Sequence, residues 1–434
     1  MRFFFPDSLD QVDPSFNFET EDRSATRIRQ RDDVYAHELF QRPPYDGLLV
    51  SKAIVDGTSA SNGKYTMAQR HRLLRDGVRE FFRLDARAST SRLKTMGDCG
   101  AFSYVKDDRP PFSVHEVIEF YESCGFDLGV SVDHVILGYD AELDASLLGL
   151  EAVPTDWRRR RELTLELAAD FLAAHRSSNA RFTPIGVAQG WSPHSYRDSV
   201  KALQSIGYKR IALGGMVALK TPDILRCLEA VAETRSPSTS LHLFGVTRIE
   251  SIGQFAEHGV ESFDSTSPLR QAFKDDKDNY YTRDGSYTAI RVPQVEGNPR
   301  LEKRIAAGEV NQDHALRAER ACLQILTAYD KGHAGSDDAL SALAEYSAIH
   351  GIGQQQLDRE KRTLENRPWK ECPCAVCKAL GIHVVIFRGA ERNRRRGFHN
   401  LHVFYFERLG RSASDSDSPD TSESRLPAGL IHEW

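Results

Sequence analysis

The feature that most constrains the fold is a regular alternation of strand-like and helix-like stretches from about residue 46. Seven stretches predict strands: Asp46–Val55, Leu93–Asp98, Gly129–Leu137, Phe182–Gly190, Arg210–Val217, Ser240–Thr247 and Glu261–Thr266. Amphipathic segments between them predict helices: Thr66–Leu84, Ser113–Ser123, Arg158–Arg176, Pro193–Ile206, Thr221–Thr234 and Ile249–His258. Such alternation implies parallel strands with right-handed crossovers. It favours a (β/α)8 barrel with an unidentified eighth strand, and an open doubly wound sheet is the alternative.

The rest of the chain divides by composition. The expected segments are an N-terminal extension that packs on the barrel (1–45), the barrel core (46–298), a helical and zinc-binding subdomain that completes the barrel (299–409), and a tail (410–434). Apolar residues recur at helical spacing in Ala315–Tyr329 and Ala339–Tyr346, which indicates a helical insertion. The tail is rich in Ser and Asp and cannot bury a core, so we expect it to be disordered.

Charge and hydropathy exclude two classes of protein. The net charge of −5, from 57 basic and 62 acidic residues, excludes a wholly basic nucleic-acid coat but not a local basic patch. No apolar run approaches the roughly 18 residues of a membrane span. The cysteines are seven in number, and three of them crowd together. This pattern is typical of a cytoplasmic protein with a metal site.

The crowded cysteines predict a structural zinc site. Cys372, Cys374 and Cys377 lie in Cys-Pro-Cys-Ala-Val-Cys, and His399 follows in Gly-Phe-His-Asn-Leu-His. Three thiolates and one imidazole complete a tetrahedral zinc ion and leave no open position for catalysis. His402 is the competing fourth ligand, and three incidental cysteines are the remaining alternative.

Polar residues and glycines follow the ends of five predicted strands. These clusters are Asp98-Cys99-Gly100, Asp133-His134, Gln189-Gly190, Gly214-Gly215 and Asp264. In a barrel, the carboxyl ends of the strands form one rim, where active sites are built. We therefore expect these residues to share one site.

Two of the rim residues are carboxylates that suit chemistry at a sugar carbon. Asp264 could act as nucleophile, general base or cation stabiliser. Paired with Asp98, it suits displacement through a covalent glycosyl-enzyme, followed by attack of a second acceptor. The alternative for Asp264 is the N-cap of a helix that starts at Pro268, and the role of Asp98 is equally open.

Other rim residues match the edge of a guanine-like base. Asp133 can accept two hydrogen bonds from the N–H edge, and Gln189 can donate to the carbonyl oxygen. The backbone of Gly214 and Gly215 can approach the same oxygen, and Phe102 can stack on the ring. Ordinary turn chemistry for the glycines and a core position for Phe102 are the alternatives.

Two arginine clusters could neutralise phosphates. Arg158–Arg161 is equally well explained as the solvated start of a helix. Arg392–Arg396, broken only by Asn393, adjoins the zinc motif. We therefore expect Arg394, Arg395 and Arg396 to bind nucleic acid.

The order of these motifs resembles the tRNA-guanine transglycosylase family over residues 46–405. The motifs are Gly-Asp-Cys-Gly-Ala-Phe, Val-Asp-His, Gly-Val-Ala-Gln-Gly, Leu-Gly-Gly-Met-Val, Gly-Val-Glu-Ser-Phe-Asp and Cys-x-Cys-x-x-Cys with His-Asn-Leu. The resemblance implies a base-exchanging barrel in which Asp264 is the nucleophile at C1′ and Asp98 the general acid/base. It also implies purine recognition by Asp133, Gln189, the Gly214-Gly215 backbone and Phe102, and zinc binding by Cys372, Cys374, Cys377 and His399.

Departures from the tRNA enzymes point to another substrate. The Thr-Arg-rich loop that engages tRNA is Ser-Thr-Ser-Pro-Leu-Arg here, and a glutamate linked to an aminomethyl base corresponds to Lys220. The N-terminal Phe-Phe-Phe-Pro-Asp-Ser and Pro-Pro-Tyr-Asp-Gly-Leu-Leu-Val-Ser-Lys resemble the DpdA branch. That branch implies insertion of 7-cyano-7-deazaguanine (preQ0) into DNA beside a partner ATPase. The alternatives are the same exchange on tRNA and a non-catalytic nucleic-acid-binding partner subunit.

Overall fold

Eight parallel strands form a closed barrel in the computed structural model, which describes residues 1–58, 61–145, 147, 149–274 and 277–410. The strands are β1 (Arg2–Pro6), β2 (Gly47–Ser51), β3 (Lys94–Asp98), β4 (Leu128–Val130), β5 (Thr183–Ala188), β6 (Arg210–Leu213), β7 (Ser240–Leu243) and β8 (Val260–Asp264). Each strand pairs with its neighbours in sequence, and β1 pairs with β8. The closed ring confirms the barrel and excludes the open sheet.

The eighth strand comes from the start of the chain. In β1, Phe4 lies in register with Asp264 of β8 and with Gly47 of β2. The expectation of an N-terminal extension that packs on the barrel (1–45) is therefore corrected for β1, which is itself a strand of the ring. All eight barrel strands lie between residues 2 and 264, so residues 299–409 contribute no strand to the ring. The remaining domain boundaries stay a prediction.

The predicted crossover helices are confirmed with small shifts at their ends. They span Met67–Phe81, Val114–Cys124, Thr155–Ser177, Pro193–Ile206, Thr221–Ala232 and Ile252–Glu257. Shorter helices are Ala36–Leu39, Lys52–Asp56, Ala88–Ser91 and Ser267–Gln271. Two-residue strands pair Gln11–Val12 with Val34–Tyr35, Gly57–Thr58 with Ser61–Asn62, Tyr280–Tyr281 with Ser286–Tyr287, and Ile290–Arg291 with Ile386–Phe387.

Local sequence sets the ends of these helices. The helix Pro193–Ile206 starts after Ser192, whose side chain accepts from the Ser195 amide. Proline fits the first helical position because its missing N–H has no partner there in any helix. The same helix ends at Gly207, which adopts the left-handed conformation with φ of 116°. Glycine reaches this region without steric cost, so the chain can turn directly into β6.

The barrel interior is a packed core rather than a channel. Its central layer contains Phe4, Leu49, Met96, Val130, Ile185, Val187 and Ala212, all buried. Bulky side chains that fill the interior make the lower part of a barrel rigid and leave only the carboxyl rim open for a site.

The region after the barrel is helical, as predicted. Its helices are Pro299–Ala306, Gln312–Asp330, Ser336–His350, Gln354–Asn366, Pro368–Glu371, Ala375–Leu380 and Gly389–His402, and the last continues into a π-helix at Val403–Arg408. Within the described ranges, no helix combines the length and apolarity needed to cross a membrane. The expected disordered tail falls on residues 411–434, which lie outside those ranges.

Buried arginines join the helix Gly389–His402 to the N-terminal segment. Arg388, just before this helix, donates to Glu21 at 2.7 Å, and Arg392 bonds to Glu21 and to the Phe18 carbonyl. Arg395 donates to the carbonyl of Asp13 at 2.7 Å. Since buried cations are tolerated only when paired, these contacts fix the N-terminal segment against the C-terminal region.

Candidate active site and metal centre

The seven predicted substrate-site residues line one cavity of about 530 Å³ at the carboxyl rim of the barrel. They are Asp98, Phe102, Asp133, Gln189, Gly214, Gly215 and Asp264. They end or follow five of the eight strands, so barrel closure brings together residues that are up to 166 positions apart in the sequence.

Asp133 and Gln189 form a buried, directional pair. The Gln189 Nε2 donates to Asp133 Oδ2 at 2.7 Å, and its Oε1 accepts from the Ile136 amide at 3.1 Å. The Cys99 thiol donates to the other Asp133 oxygen at 3.2 Å. Because the Gln189 oxygen is already engaged by a backbone donor, its NH2 group keeps a second hydrogen for a ligand acceptor.

Burial raises the pKa of Asp133 to about 6, although the hydrogen bonds from Cys99 and Gln189 work against this shift. The side chain is therefore still mainly ionised at pH 7. A carboxylate in this state accepts hydrogen bonds only, which suits the N–H edge of a purine.

The two glycines allow close approach to this pair. A Cβ at Gly214 would collide with the Gln189 amide, and Gly215 has φ of 75°, which favours glycine. The Gly214 amide donates to the Ala188 carbonyl at 3.0 Å. This bond occupies the N–H of Gly214. The N–H of Gly215 is therefore the candidate donor to a ligand.

Phe102 lies at the cavity mouth with 51% of its side chain exposed. This position excludes the core alternative. An exposed aromatic ring at the edge of a ligand cavity offers a flat apolar face for a base.

Asp98 is positioned to hold a proton at neutral pH. Burial is the main cause that raises its pKa to about 8, and the negative charges of Asp133 and Asp264 raise it further. A carboxylic acid with such a pKa can donate its proton during catalysis.

Asp264 is fixed by two donors on one of its oxygens. The Gly245 amide donates to Oδ1 at 3.0 Å, and His242 Nε2 lies 3.2 Å from the same atom. The helix Ser267–Gln271 has Thr266 at its N-cap, with no side-chain cap bond. Asp264 is therefore not the N-cap. A neutral acid and a second carboxyl group in one cavity can together support displacement at a glycosidic carbon.

Sequence reasoning missed several polar residues that line the same cavity. Asp7 and Ser8 follow β1, and Arg270 lies in the helix Ser267–Gln271. Burial raises the pKa of Asp7 to about 7, while the Tyr65 hydroxyl donates to it at 2.7 Å. The signal available in the sequence was Asp-Ser after an apolar run, the same pattern that marked the other strand ends.

The metal motif forms one cluster in the fold. The Sγ atoms of Cys372, Cys374 and Cys377 lie within 3.5 Å of His399 Nδ1, and all four ligand atoms lie within 4.8 Å of one another. His399 Nε2 lies 2.8 Å from the Tyr281 carbonyl. Donation from Nε2–H to a carbonyl turns the Nδ1 lone pair toward a metal. The four residues fit a structural metal ion, and His402 is not part of the cluster.

The predicted nucleic-acid-binding arginines do not share one environment. Arg396 is fully buried and donates to the carbonyls of Ala272, Val384 and Ile386. Arg395 is 6% exposed and bonds to the Asp13 carbonyl and to Glu391. These contacts give both side chains a structural role. The prediction that they bind the phosphates of a nucleic acid is therefore corrected for Arg395 and Arg396. Arg394 also donates to a carbonyl, that of Gln11 at 2.7 Å, but it keeps 27% of its side chain exposed.

The other arginine cluster is also partly structural. Arg160 donates to His134 Nδ1 at 2.6 Å and to the carbonyls of Val105 and Val135, and Arg161 donates to the Ser199 hydroxyl at 2.7 Å. These bonds support the interpretation of Arg158–Arg161 as the start of a helix that packs on the barrel. They also satisfy the hydrogen-bonding groups of His134, which is therefore a structural histidine.

The fold and the site together have the arrangement expected of a barrel transferase: two carboxyl groups and a buried Asp–Gln pair share one cavity at the carboxyl rim, and a separate cluster fits a structural metal ion. A family model described as Queuine tRNA-ribosyltransferase matches residues 87–407. The chain belongs to this family, that of the tRNA-guanine transglycosylases, and is a guanine transglycosylase, a pentosyltransferase.

Individual relatives refine this placement. A Salmonella montevideo protein named DNA-guanine transglycosylase is 49% identical over 410 residues, which are 93% of this chain and 96% of the relative. Two proteins named Queuine tRNA-ribosyltransferase match shorter stretches of the chain. The one from Methylobacillus flagellatus is 35% identical over 28% of this chain and 33% of its own length. The one from Marinobacter nauticus is 33% identical over 26% and 30%. Within the family the chain is most like the DpdA branch.

The raised pKa of Asp98 predicts a stability effect that depends on pH. The folded chain keeps this proton up to about pH 8, whereas the ordinary pKa is 3.8. The folded state therefore binds more protons between these values, and its stability falls as the pH rises through them. Asp98→Asn removes this cost, so its stability gain over wild type should grow with pH, by at most about 1.4 kcal/mol per pH unit.

Thermal denaturation of wild type and Asp98→Asn at about pH 4.5 and about pH 8.5 measures this difference. The matched control is Asp108→Asn, because the Asp108 side chain is 96% exposed. A gain for Asp98→Asn that is the same at both pH values would contradict the buried-acid description.

Proposed function

We propose that this chain exchanges guanine in DNA for a 7-deazaguanine base, 7-cyano-7-deazaguanine (preQ0), through a covalent glycosyl–Asp264 intermediate. The observation that carries the proposal is the pair of carboxyl groups in one cavity, of which Asp98 has a pKa of about 8 and Asp264 is held by hydrogen-bond donors. Two acids in different environments can take the separate roles of proton donor and nucleophile.

In the first half of the reaction, a carboxylate oxygen of Asp264 attacks C1′ of the nucleotide. The C1′–N9 bond breaks, and its electron pair leaves with guanine, which takes a proton from Asp98. In the second half, N9 of the incoming base attacks C1′ and loses its proton to Asp98. The Asp264–C1′ bond then breaks and returns the carboxylate. Each half-reaction reverses the proton movement of the other.

The base is held by the other residues that line the same cavity as these two acids. Asp133 accepts from the N–H edge, the free hydrogen of the Gln189 amide and the Gly215 N–H meet the carbonyl oxygen, and Phe102 stacks on the ring. Guanine and 7-deazaguanines share this edge, so one set of contacts serves both half-reactions.

DNA is favoured over tRNA by two observations. The relative named for DNA matches along nearly the whole chain, whereas the relatives named for queuine and tRNA match about a quarter of it. The sequence after Asp264 and the lysine at position 220 also depart from the tRNA enzymes. Exchange on tRNA remains the second candidate function because the catalytic group is common to both.

A guanine in duplex DNA must leave the base stack before Asp264 can reach its sugar. Flipping a paired base out of the stack costs on the order of a few kcal/mol. A partner ATPase that opens the duplex would supply this energy, and we include such a partner in the proposal.

The Cys372, Cys374, Cys377 and His399 cluster would hold a zinc ion. Three thiolates and one imidazole are the ligands of structural zinc, which contributes folding free energy and no reaction step. We further propose that residues 299–409 act as a subdomain that carries this ion, and that the chain works in the cytoplasm.

The central test is mass spectrometry of nucleosides from cells that express the chain with its genomic neighbours. We expect a deoxynucleoside of a 7-deazaguanine in digested DNA and its loss in Asp264→Asn, because an amide cannot form the glycosyl ester. A signal confined to digested tRNA would support the second candidate function, base exchange on tRNA, instead of exchange on DNA. A signal that persists in Asp264→Asn would contradict the proposed nucleophile.

Metal analysis tests the zinc site. We expect one zinc ion per chain, and its loss together with a lower melting temperature in Cys377→Ala. Cys124→Ala is the matched control, because Cys124 is buried but lies outside the cluster. A zinc content near zero in active wild-type protein would contradict the assignment.

Arg394 is the arginine of the three that we retain as a phosphate contact. Arg394→Ala should weaken binding to a single-stranded oligonucleotide and reduce the slope of log K against log salt by about 0.7. Arg181→Ala is the control, because Arg181 is 85% exposed and precedes β5 at the opposite end of the barrel. Equal slopes for wild type and Arg394→Ala would remove Arg394 from the binding surface.

A further inference from the structure

A histidine beneath the proposed nucleophile has so far been described only as one of the two hydrogen-bond partners of Asp264. His242 lies in β7, next to β8, and is 3% exposed. It is absent from the described lining of the cavity that contains Asp264. Its ring lies against Phe4 and Phe244, with centroid distances of 6.1 and 4.9 Å. His242 therefore reaches Asp264 from inside the barrel and does not contact the substrate.

The two ring nitrogens of His242 connect Ser262 to Asp264. Nδ1 lies 2.9 Å from Ser262 Oγ, and Nε2 lies 3.2 Å from Asp264 Oδ1. An ionised carboxylate can only accept, so Nε2 must carry the proton. In the neutral imidazole, Nδ1 is then the acceptor for the Ser262 hydroxyl. This chain of donors fixes the tautomer and the orientation of the ring.

Both donors to Asp264 end on the same oxygen. The Gly245 amide and His242 Nε2 share Oδ1, and no hydrogen bond among the described residues ends on Oδ2. Oδ2 is thus the oxygen that can attack C1′, and Oδ1 becomes the carbonyl oxygen of the ester. When the ester breaks, the electron pair of the Oδ2–C1′ bond returns to Asp264, and the negative charge spreads onto Oδ1.

We propose that His242 is the positioning residue that holds Asp264 by Oδ1 and thereby sets how readily the glycosyl–Asp264 ester breaks down. This inference rests on the proposed function. A donor on Oδ1 stabilises the carboxylate more than the ester, because hydrogen bonds to charged acceptors are stronger than those to neutral ones. The same donor therefore makes Asp264 a better leaving group.

Replacement of His242 by Phe keeps an aromatic ring in the barrel and removes the donor. We expect base exchange to fall by about tenfold to hundredfold, the range for the loss of one hydrogen bond to a charged group. We also expect a larger fraction of the enzyme to be trapped during turnover as a protein–DNA adduct that survives denaturation, because the second half-reaction slows more than the first. His242→Gln, whose Nε2 can occupy the position of the imidazole Nε2, should restore most of the exchange.

The experiment uses the purified full chain, a single-stranded guanine-containing oligonucleotide and 7-cyano-7-deazaguanine. It measures base exchange and the adduct fraction on denaturing gels for wild type, His242→Phe and His242→Gln. Melting temperatures identify any variant that fails to fold, and exchange is compared among folded variants. If His242→Phe proves unfolded, the comparison of His242→Gln with His242→Leu replaces it.

The outcomes separate this inference from the proposed function. A reduced exchange with more adduct in His242→Phe, reversed by Gln, supports the positioning role. Wild-type behaviour of His242→Phe, or equal losses in both variants with an unchanged adduct fraction, would overturn it and leave only a packing role. Absence of exchange and of adduct in the wild-type chain would instead overturn the proposed function itself.

Discussion

The hydrogen bonds of β1 to both β2 and β8 are the constraint on which the rest of the molecule depends. These bonds join the first strand of the ring to the last, with Phe4 in register with both Gly47 and Asp264. A sheet of parallel strands without this closure would leave two edges and no common rim. Closure places Asp98, Asp133 and Asp264 around one cavity, and it adds Asp7, which follows the closing strand.

Proximity of these acids then determines their chemistry. Carboxyl groups that share a poorly solvated cavity cannot all carry a charge, because each ionisation makes the next more costly. The local donors decide which ones ionise. Asp133 receives hydrogen bonds from Cys99 and Gln189, and its pKa is about 6. The pKa of Asp98 is raised further, to about 8, by burial and by the negative charges of Asp133 and Asp264. The difference in pKa between the two acids thus follows from the arrangement of their neighbours.

The sequence predicted what depends on periodicity and spacing, and it failed where the outcome depends on partners distant in the chain. Seven strands and their helices follow from local patterns, but β1 is a short Arg-Phe-Phe-Phe-Pro segment with no helix before it, and its local pattern does not distinguish a barrel strand from part of an extension. The arginine run looked like a surface patch because its acceptors, such as the Asp13 and Ala272 carbonyls, lie more than 100 positions away. For the fourth metal ligand, the sequence favoured His399 with His402 as the competitor, and the helix Gly389–His402 places His399 against the cysteines.

The depth of the site limits the form in which a nucleic acid can react. Asp264 is 7% exposed and Gln189 is 1% exposed, while Phe102 at the mouth is 51% exposed. The packed layer around Phe4 and Met96 closes the barrel below, so the cavity opens only at the rim. A base can therefore reach Asp133 and Gln189 only after it has left its own stack, with its sugar brought over Asp264. Stacking on Phe102 can replace part of the lost base–base contact. Selectivity between DNA and tRNA cannot arise at the shared guanine edge and must arise where the two nucleic acids differ, at the sugar, which carries a 2′-hydroxyl only in RNA, and along the backbone outside the cavity.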